Sequence, residues 1–105
     1  MEAKEPTEVT TGNHEIYMDL IGLLESEIRG SKDPVRKEKL VGDYVSALTE
    51  AMNNIADADT KIKIIRLNKK NIKDALNTTK NESIRVRLVD LMAIFLREEI
   101  NYNNR

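Results

Sequence analysis

The sequence predicts an all-α fold, a small antiparallel bundle of three or four helices preceded by a disordered N-terminal tail. Apolar residues recur every three to four positions in four successive segments, which is the period of an amphipathic helix. Helix stop and start signals, chiefly Gly30 and Asp33-Pro34, separate the segments. Residues 61–65 alternate as a strand does, but no other segment offers a strand to pair with them.

The N-terminal region divides into a tail and a first helix. Residues 1–12 are predicted to form a flexible tail, because they combine three Glu, one Pro and three Thr without apolar periodicity. A single helical domain then covers residues 13–100, and residues 101–105 are expected to fray. The first helix spans about residues 13–29, and Gly30 is expected to end it in the position after the C-cap.

The second helix begins at Asp33-Pro34, since Asp is a good N-cap and proline is well tolerated in the first helical turn. Its apolar residues follow the 3-4-3-4 spacing of a helix that packs against another helix. They are Val41, Tyr44, Leu48, Ala51 and Ile55. Residues 53–60 are polar and leave two interpretations open. A break with Asp59 capping a third helix over residues 60–77 is favoured over one long helix from Pro34 to Leu76.

The fourth helix spans about residues 80–100, with Thr79 and Glu82 at capping-box spacing. Nine of the eleven residues from Val86 to Leu96 are apolar, and a helix that is apolar nearly all round must be covered nearly all round. We therefore expect an interface here, with a second copy in a homo-oligomer or with another protein. It would be formed by Leu88, Leu91, Met92, Phe95 and Leu96. The alternative is a central helix buried within a monomer.

A net charge of −1 hides a strong division along the chain. Residues 1–60 carry thirteen acidic and six basic side chains, whereas residues 61–87 carry nine basic and two acidic ones. This asymmetry predicts an anionic partner for the basic part, most readily DNA or RNA, whose phosphates Lys and Arg neutralise. The candidate contact residues are Lys63, Arg66, Lys69, Lys70, Lys73, Lys80 and Arg85.

Two other interpretations of the basic part stay open. It can complement the acidic first two segments, within one chain or between subunits, or it can form a plain solvated surface. Direct reading of bases is not expected, because Asn68 and Asn71 fall toward the apolar side of the helix. A stacking platform for single strands is not expected either, because residues 60–94 contain no aromatic side chain.

The composition gives no indication of catalysis, a metal site or a cofactor. The chain has no Cys and one His, which excludes thiolate sites, multi-histidine metal sites and a cysteine nucleophile. The carboxylate pairs Glu25/Glu27 and Glu98/Glu99 point apart on a helix and build no acid–base dyad. No apolar run reaches the roughly 20 residues of a membrane span, and the charged start is unlike a secretory signal. We therefore expect a cytoplasmic protein, inside the host cell if it is viral.

One resemblance rests on a turn and a charge pattern. Residues 33–36 (DPVR) and the downstream run 69–74 (KKNIKD) loosely resemble the core of phage small terminase subunits. The resemblance covers about 45 residues, contains no specific motif, and does not extend to the strongly apolar fourth segment. It implies helical rings that handle DNA during packaging.

The expected function is therefore that of a non-enzymatic, oligomeric helical protein that binds nucleic acid through residues 61–87, with a phage-like or mobile-element character. The alternative is a protein–protein interaction module that uses the apolar surface of the last helix. Such a module would be an inhibitor, an adaptor or an immunity-type protein. Neither function requires a cofactor or a metal ion.

Overall fold

The computed structural model describes residues 4–104, with side chains from His14 onward, and this range contains four helices and no strand. The helices are α1 (Lys4–Gly30), α2 (Pro34–Asn54), α3 (Ala58–Thr78) and α4 (Glu82–Asn103). Because the connections are short, consecutive helices run antiparallel. The chain thus forms two hairpins, α1–α2 and α3–α4, which meet where α2 packs against α3 and α4. The predicted all-α bundle is confirmed.

The ends of the chain differ from the expected boundaries. Helix α1 begins at Lys4, whereas the first helix was expected to begin near residue 13. The flexibility predicted for residues 1–12 stays a prediction, because that segment lies outside the range whose side chains are described. Gly30 is the last residue of α1, and not the residue beyond it, and its φ is not positive. At the other end, residues 101–103 are helical and not frayed, because the Tyr102 hydroxyl donates to Asp59 Oδ1 at 2.7 Å and ties the last turn to α3.

Three helices begin at an N-cap side chain that accepts a hydrogen bond from a backbone N–H of the first turn. Asp33 caps α2 as predicted. The favoured break between the second and third helices is present, but Asp57 and not Asp59 caps α3. Asn81 caps α4, whereas Thr79 ends α3, so the expected capping box does not form. Neighbouring residues of similar capping propensity explain both differences, because propensity alone does not choose between them.

The core is centred on α2. All five residues of its 3-4-3-4 stripe are buried, as their spacing predicted. The largest side chains in the core, each at most 2% exposed, come from α2, α3 and α4: Tyr44, Leu48, Ile64, Ile65, Ile72, Leu88, Leu91 and Phe95. Helix α1 adds Ile21 as its fully buried residue and otherwise packs half-buried side chains on α2. The central helix is therefore α2, and α4 is covered on one face.

A polar network crosses this core and joins three helices. The Tyr44 hydroxyl donates to Asn68 Oδ1 at 2.5 Å and accepts from Asn71 Nδ2 at 3.2 Å. Asn71 Nδ2 also donates to Glu25 Oε2 on α1 at 2.7 Å. Burial raises the pKa of Tyr44 to about 12, because the charged phenolate is poorly solvated there. Both asparagines therefore point into the protein, as their positions in the sequence indicated.

Candidate interaction surface

Helix α4 has two apolar faces on opposite sides. Its inner face, formed by Leu88, Leu91 and Phe95, is at most 1% exposed. Its opposite face carries a second row of apolar side chains at 3-4-3-4 spacing, which we name the outer apolar stripe. The outer apolar stripe consists of Val86, Val89, Ala93, Leu96 and Ile100. Its four large side chains are 44 to 57% exposed. Such a row of exposed Val, Leu and Ile side chains is unusual on the surface of a small domain.

The five predicted interface residues are divided between these two faces. Leu88, Leu91 and Phe95 lie in the core, so they offer no surface to a partner while the chain keeps this fold. Met92 is half-buried, and Leu96 is exposed. Because almost every position of the segment is apolar, its periodicity does not indicate which side faces inward. The signal in the sequence that could have identified the exposed residues is the 3-4-3-4 spacing of the outer apolar stripe.

Four of the predicted cationic residues form a continuous exposed row on α3, which we name the basic stripe. The basic stripe consists of Lys63, Arg66, Lys70 and Lys73. The 3-4-3 spacing places all four on one side of the helix. Within residues 14–104, none of the four is in an ion pair, and the guanidinium of Arg66 lies 5.8 Å from the centre of the Tyr102 ring. Their charge is therefore available to an anionic partner.

The other three predicted cationic residues have different surroundings. Lys69 is half-buried, and its Nζ lies 2.7 Å from Glu99 Oε1 on α4. Arg85 donates from its guanidinium to backbone carbonyls at the end of α3, so it acts as a C-terminal cap. Lys80 is exposed in the connection between α3 and α4, where its backbone N–H donates to Glu38 Oε2 at 2.7 Å. Part of the basic charge is thus matched internally, and within residues 14–104 the carboxylates paired with Lys61 and Lys69 are Glu98 and Glu99 of α4.

The basic stripe and the outer apolar stripe lie side by side. The Lys69–Glu99 ion pair marks the line along which α3 meets α4. Arg66 is three positions before Lys69, and Leu96 is three positions before Glu99. A step of three residues back rotates a side chain by about 60° around its helix axis. Because α3 and α4 are antiparallel, this rotation turns Arg66 and Leu96 toward the same outer side of the hairpin. Arg66 and Leu96, which lie one turn from this ion pair, thus belong to neighbouring helices whose axes are roughly 8–10 Å apart.

A further exposed apolar row lies on α1. It is formed by Ile16, Leu20 and Leu23, which are spaced by four and three residues and are 62, 38 and 59% exposed. We name these three residues the α1 stripe. The exposed carboxylates of Glu15 and Asp19 lie beside it. Helix α1 thus presents an apolar row with an acidic flank, on the side that faces away from α2.

The polar groups that line a cleft between three helices are engaged with one another. This cleft, of about 240 Å³, lies between α1, α2 and α3, and its polar lining includes Glu25, Arg29, Tyr44 and Asn71. These groups bond to one another, and the Arg29–Glu25 ion pair measures 2.6 Å. Over the described part of the chain, no three His, Asp or Glu residues are grouped to hold a metal ion. Nor does any helix in that part have the length and apolar character needed to cross a membrane.

Comparison with known proteins adds no relative. No protein-family model, curated protein or solved structure matches the chain. The resemblance of the turn and the charge pattern to phage small terminase subunits therefore stays a prediction.

Proposed function

We propose that the protein is a non-enzymatic helical interaction module that binds another protein through the outer face of the α3–α4 hairpin. The outer apolar stripe is the observation that carries this proposal. Large apolar side chains at 3-4-3-4 spacing are the pattern by which one helix packs against another. The stripe runs over fifteen residues of α4, from Val86 to Ile100, whose ends are about 21 Å apart at the rise of an α-helix. That length accommodates a partner helix of about four turns.

The basic stripe specifies the chemistry of this partner. A helix laid along the groove between α3 and α4 would contact the outer apolar stripe with one face and the basic stripe with its flank. Electrostatic complementarity then requires acidic side chains on that flank. The preferred partner is therefore an amphipathic helix with an apolar row and an acidic side, bound as a helix in a groove.

A pair of synthetic helical peptides tests this proposal. The first carries Leu and Ile at 3-4-3-4 spacing with Glu on the flank, and the second has Lys in place of each Glu. We expect the Glu peptide to bind the full chain at least about tenfold more tightly than the Lys peptide, as measured by fluorescence anisotropy. The variant Val89→Asp/Leu96→Asp should no longer bind the Glu peptide, because both changes put a carboxylate in the apolar contact. Circular dichroism checks that this variant stays folded. Equal affinity for the two peptides would refute the proposal, and so would the absence of binding.

Nucleic acid is a second candidate partner, because the four cations of the basic stripe are exposed and form no ion pair with the side chains described from His14 to Asn104. Four phosphate contacts predict a modest affinity that falls by roughly 150-fold between about 50 and 200 mM salt. Titration of a random-sequence DNA duplex and of an RNA of equal length measures this dependence. The matched variant is Lys63→Glu/Lys70→Glu/Lys73→Glu, which leaves the paired Lys69 in place. The outer apolar stripe beside these cations has no counterpart on a phosphate backbone, and for this reason a protein partner is preferred.

A further inference from the structure

The pattern required of the partner helix occurs within this chain. The α1 stripe is an exposed apolar row, and Glu15 and Asp19 give it an acidic flank. We propose that α1 of a second copy docks on the outer face of the α3–α4 hairpin, so that copies of the chain join head to tail. This inference rests on the proposed function and names the occupant of the groove.

Charge complementarity supports this occupant. Glu25 and Glu27 of α1 are already paired with Arg29 and Arg36. Glu15 and Asp19 are exposed and outside ion pairs within residues 14–104, and the basic stripe places four positive charges beside the outer apolar stripe. A helix can lie in a groove in either of two directions, and one direction turns Glu15 and Asp19 toward α3. In that direction the α1 stripe contacts the outer apolar stripe, and its carboxylates face the basic stripe. The attraction is strengthened where the apolar contact excludes water.

The same charges disfavour the two symmetric alternatives in their antiparallel form. If α4 packed antiparallel on α4 of a second copy, the two basic stripes would approach each other, whereas a parallel pairing would place them on opposite sides. If α1 packed antiparallel on α1, the carboxylates beside the α1 stripe would likewise be brought together. Like charges placed opposite each other cost binding free energy. Of the three pairings, the contact of α1 with the α3–α4 face alone opposes unlike charges.

The position of the two surfaces in the fold makes this contact intermolecular. Helix α1 packs chiefly on α2, and the outer apolar stripe faces away from the core that α2 occupies. A protomer that has bound a neighbour through one of these surfaces therefore keeps its other surface free for a further copy. Such a heterologous contact produces a closed ring or an open filament, and not a two-fold dimer.

Two variants of the full chain test the inference by complementation. Ile16→Asp/Leu23→Asp removes the α1 stripe, and Val89→Asp/Leu96→Asp removes the outer apolar stripe. All four residues are exposed, so both variants are expected to keep the fold, which circular dichroism checks. Sedimentation velocity should show wild-type species larger than a dimer and each variant as a monomer. An equimolar mixture should give a heterodimer of twice the 12.0 kDa protomer mass, since one intact surface of each kind remains.

A charge variant tests how much charge complementarity contributes to self-association, independently of the apolar contact. We expect Glu15→Lys/Asp19→Lys to weaken self-association at least about fivefold, because it places cations opposite the basic stripe, and to leave helicity unchanged. This variant also keeps the inference testable if an Asp variant unfolds. Unchanged self-association in the charge variant would contradict the proposed pairing.

The remaining outcomes discriminate between the two proposals. A wild-type protein that is monomeric at high concentration refutes the docking of α1. If that monomer still binds the Glu peptide, the proposed function survives and the partner is another protein. Dimers that form in the α1 variant and disappear in the α4 variant would indicate pairing of α4 with α4. A mixture of the two variants that stays monomeric also overturns the inference.

Discussion

The inner face of α4 and its outer apolar stripe are built from the same kind of side chain and differ in what covers them. Leu88, Leu91 and Phe95 are covered by the rest of the chain, whereas Val89 and Leu96 remain about half exposed. The comparison shows that apolar character predicts a requirement for burial but does not name the surface that meets it. One face of α4 stabilises the monomer. The other remains exposed to solvent and is the surface that we propose for a partner.

The largest effect is expected from truncating neighbouring residues on the two faces. Phe95→Ala should lower the free energy of unfolding by about 3–5 kcal/mol, because it leaves a cavity in the core. Leu96→Ala should lower it by less than about 1 kcal/mol, because that side chain is already partly solvated. Urea unfolding followed by circular dichroism, at a protein concentration low enough to avoid association, measures both. Equal losses in the two variants would mean that the faces have been assigned incorrectly.

An intermediate effect is expected at the polar network on the other side of the core. Tyr44→Phe removes the hydroxyl that bonds Asn68 and Asn71, and it should cost about 1–3 kcal/mol because buried amide groups lose a partner. The same variant tests the raised pKa of Tyr44. The folded state holds the phenolic proton more tightly than the unfolded state. The resulting stabilisation is complete below the ordinary pKa of 10.0 and is lost as the pH rises toward about 12.

The comparison of wild type with Tyr44→Phe isolates this pH dependence. Deprotonation of lysines destabilises both proteins alike, so it cancels in the difference. The stability advantage of wild type should decrease by an amount of the order of 2–3 kcal/mol between about pH 9 and pH 12. If the difference in free energy of unfolding between the two proteins is the same at both pH values, the pKa of Tyr44 is not raised by burial in this network.

The smallest effect on the free energy of unfolding is expected at two basic residues. It distinguishes a cation that stabilises the fold from one that is exposed. Arg85→Gln should lower the free energy of unfolding by about 1 kcal/mol, because its guanidinium bonds the last carbonyls of α3. Lys70→Gln should change it by less than about 0.5 kcal/mol, because this exposed side chain is outside ion pairs within the described range. Thermal unfolding of the two variants compares them directly. A larger loss for Lys70→Gln would contradict the division of the basic residues proposed above.

Much of the fold could be predicted from local patterns. The buried stripe of α2 follows from its 3-4-3-4 spacing, and the start of α2 follows from Asp33-Pro34. The inward direction of Asn68 and Asn71 also follows from their positions on the helix. The caps at Asp57 and Asn81 were not predicted, because Asp59 and Thr79 lie nearby with similar capping propensity. For α4 the pattern was too uniform to indicate a direction, since nine apolar residues among eleven leave little contrast between its faces.

The candidate site was predictable in composition but not in arrangement. The sequence indicated a basic third helix and an excess of apolar surface on the fourth, and both are present. It did not indicate that Lys69 pairs with Glu99 or that Arg85 caps α3, because these contacts join residues on different helices or across a connection. The neighbouring position of the two stripes likewise depends on how α3 and α4 face each other.

By itself, the sequence determined the all-helical fold class, most of the approximate helix limits, the division of charge and the excess of apolar surface on α4. These properties depend on residues a few positions apart, and helical periodicity relates such residues directly. The tertiary structure decided which side of α4 is buried, which cations of the described range are in ion pairs, and that Arg66 and Leu96 turn toward the same outer side of the α3–α4 hairpin. The physical reason is that burial and ion pairing depend on which surfaces meet, and the packing of all four helices sets this at once.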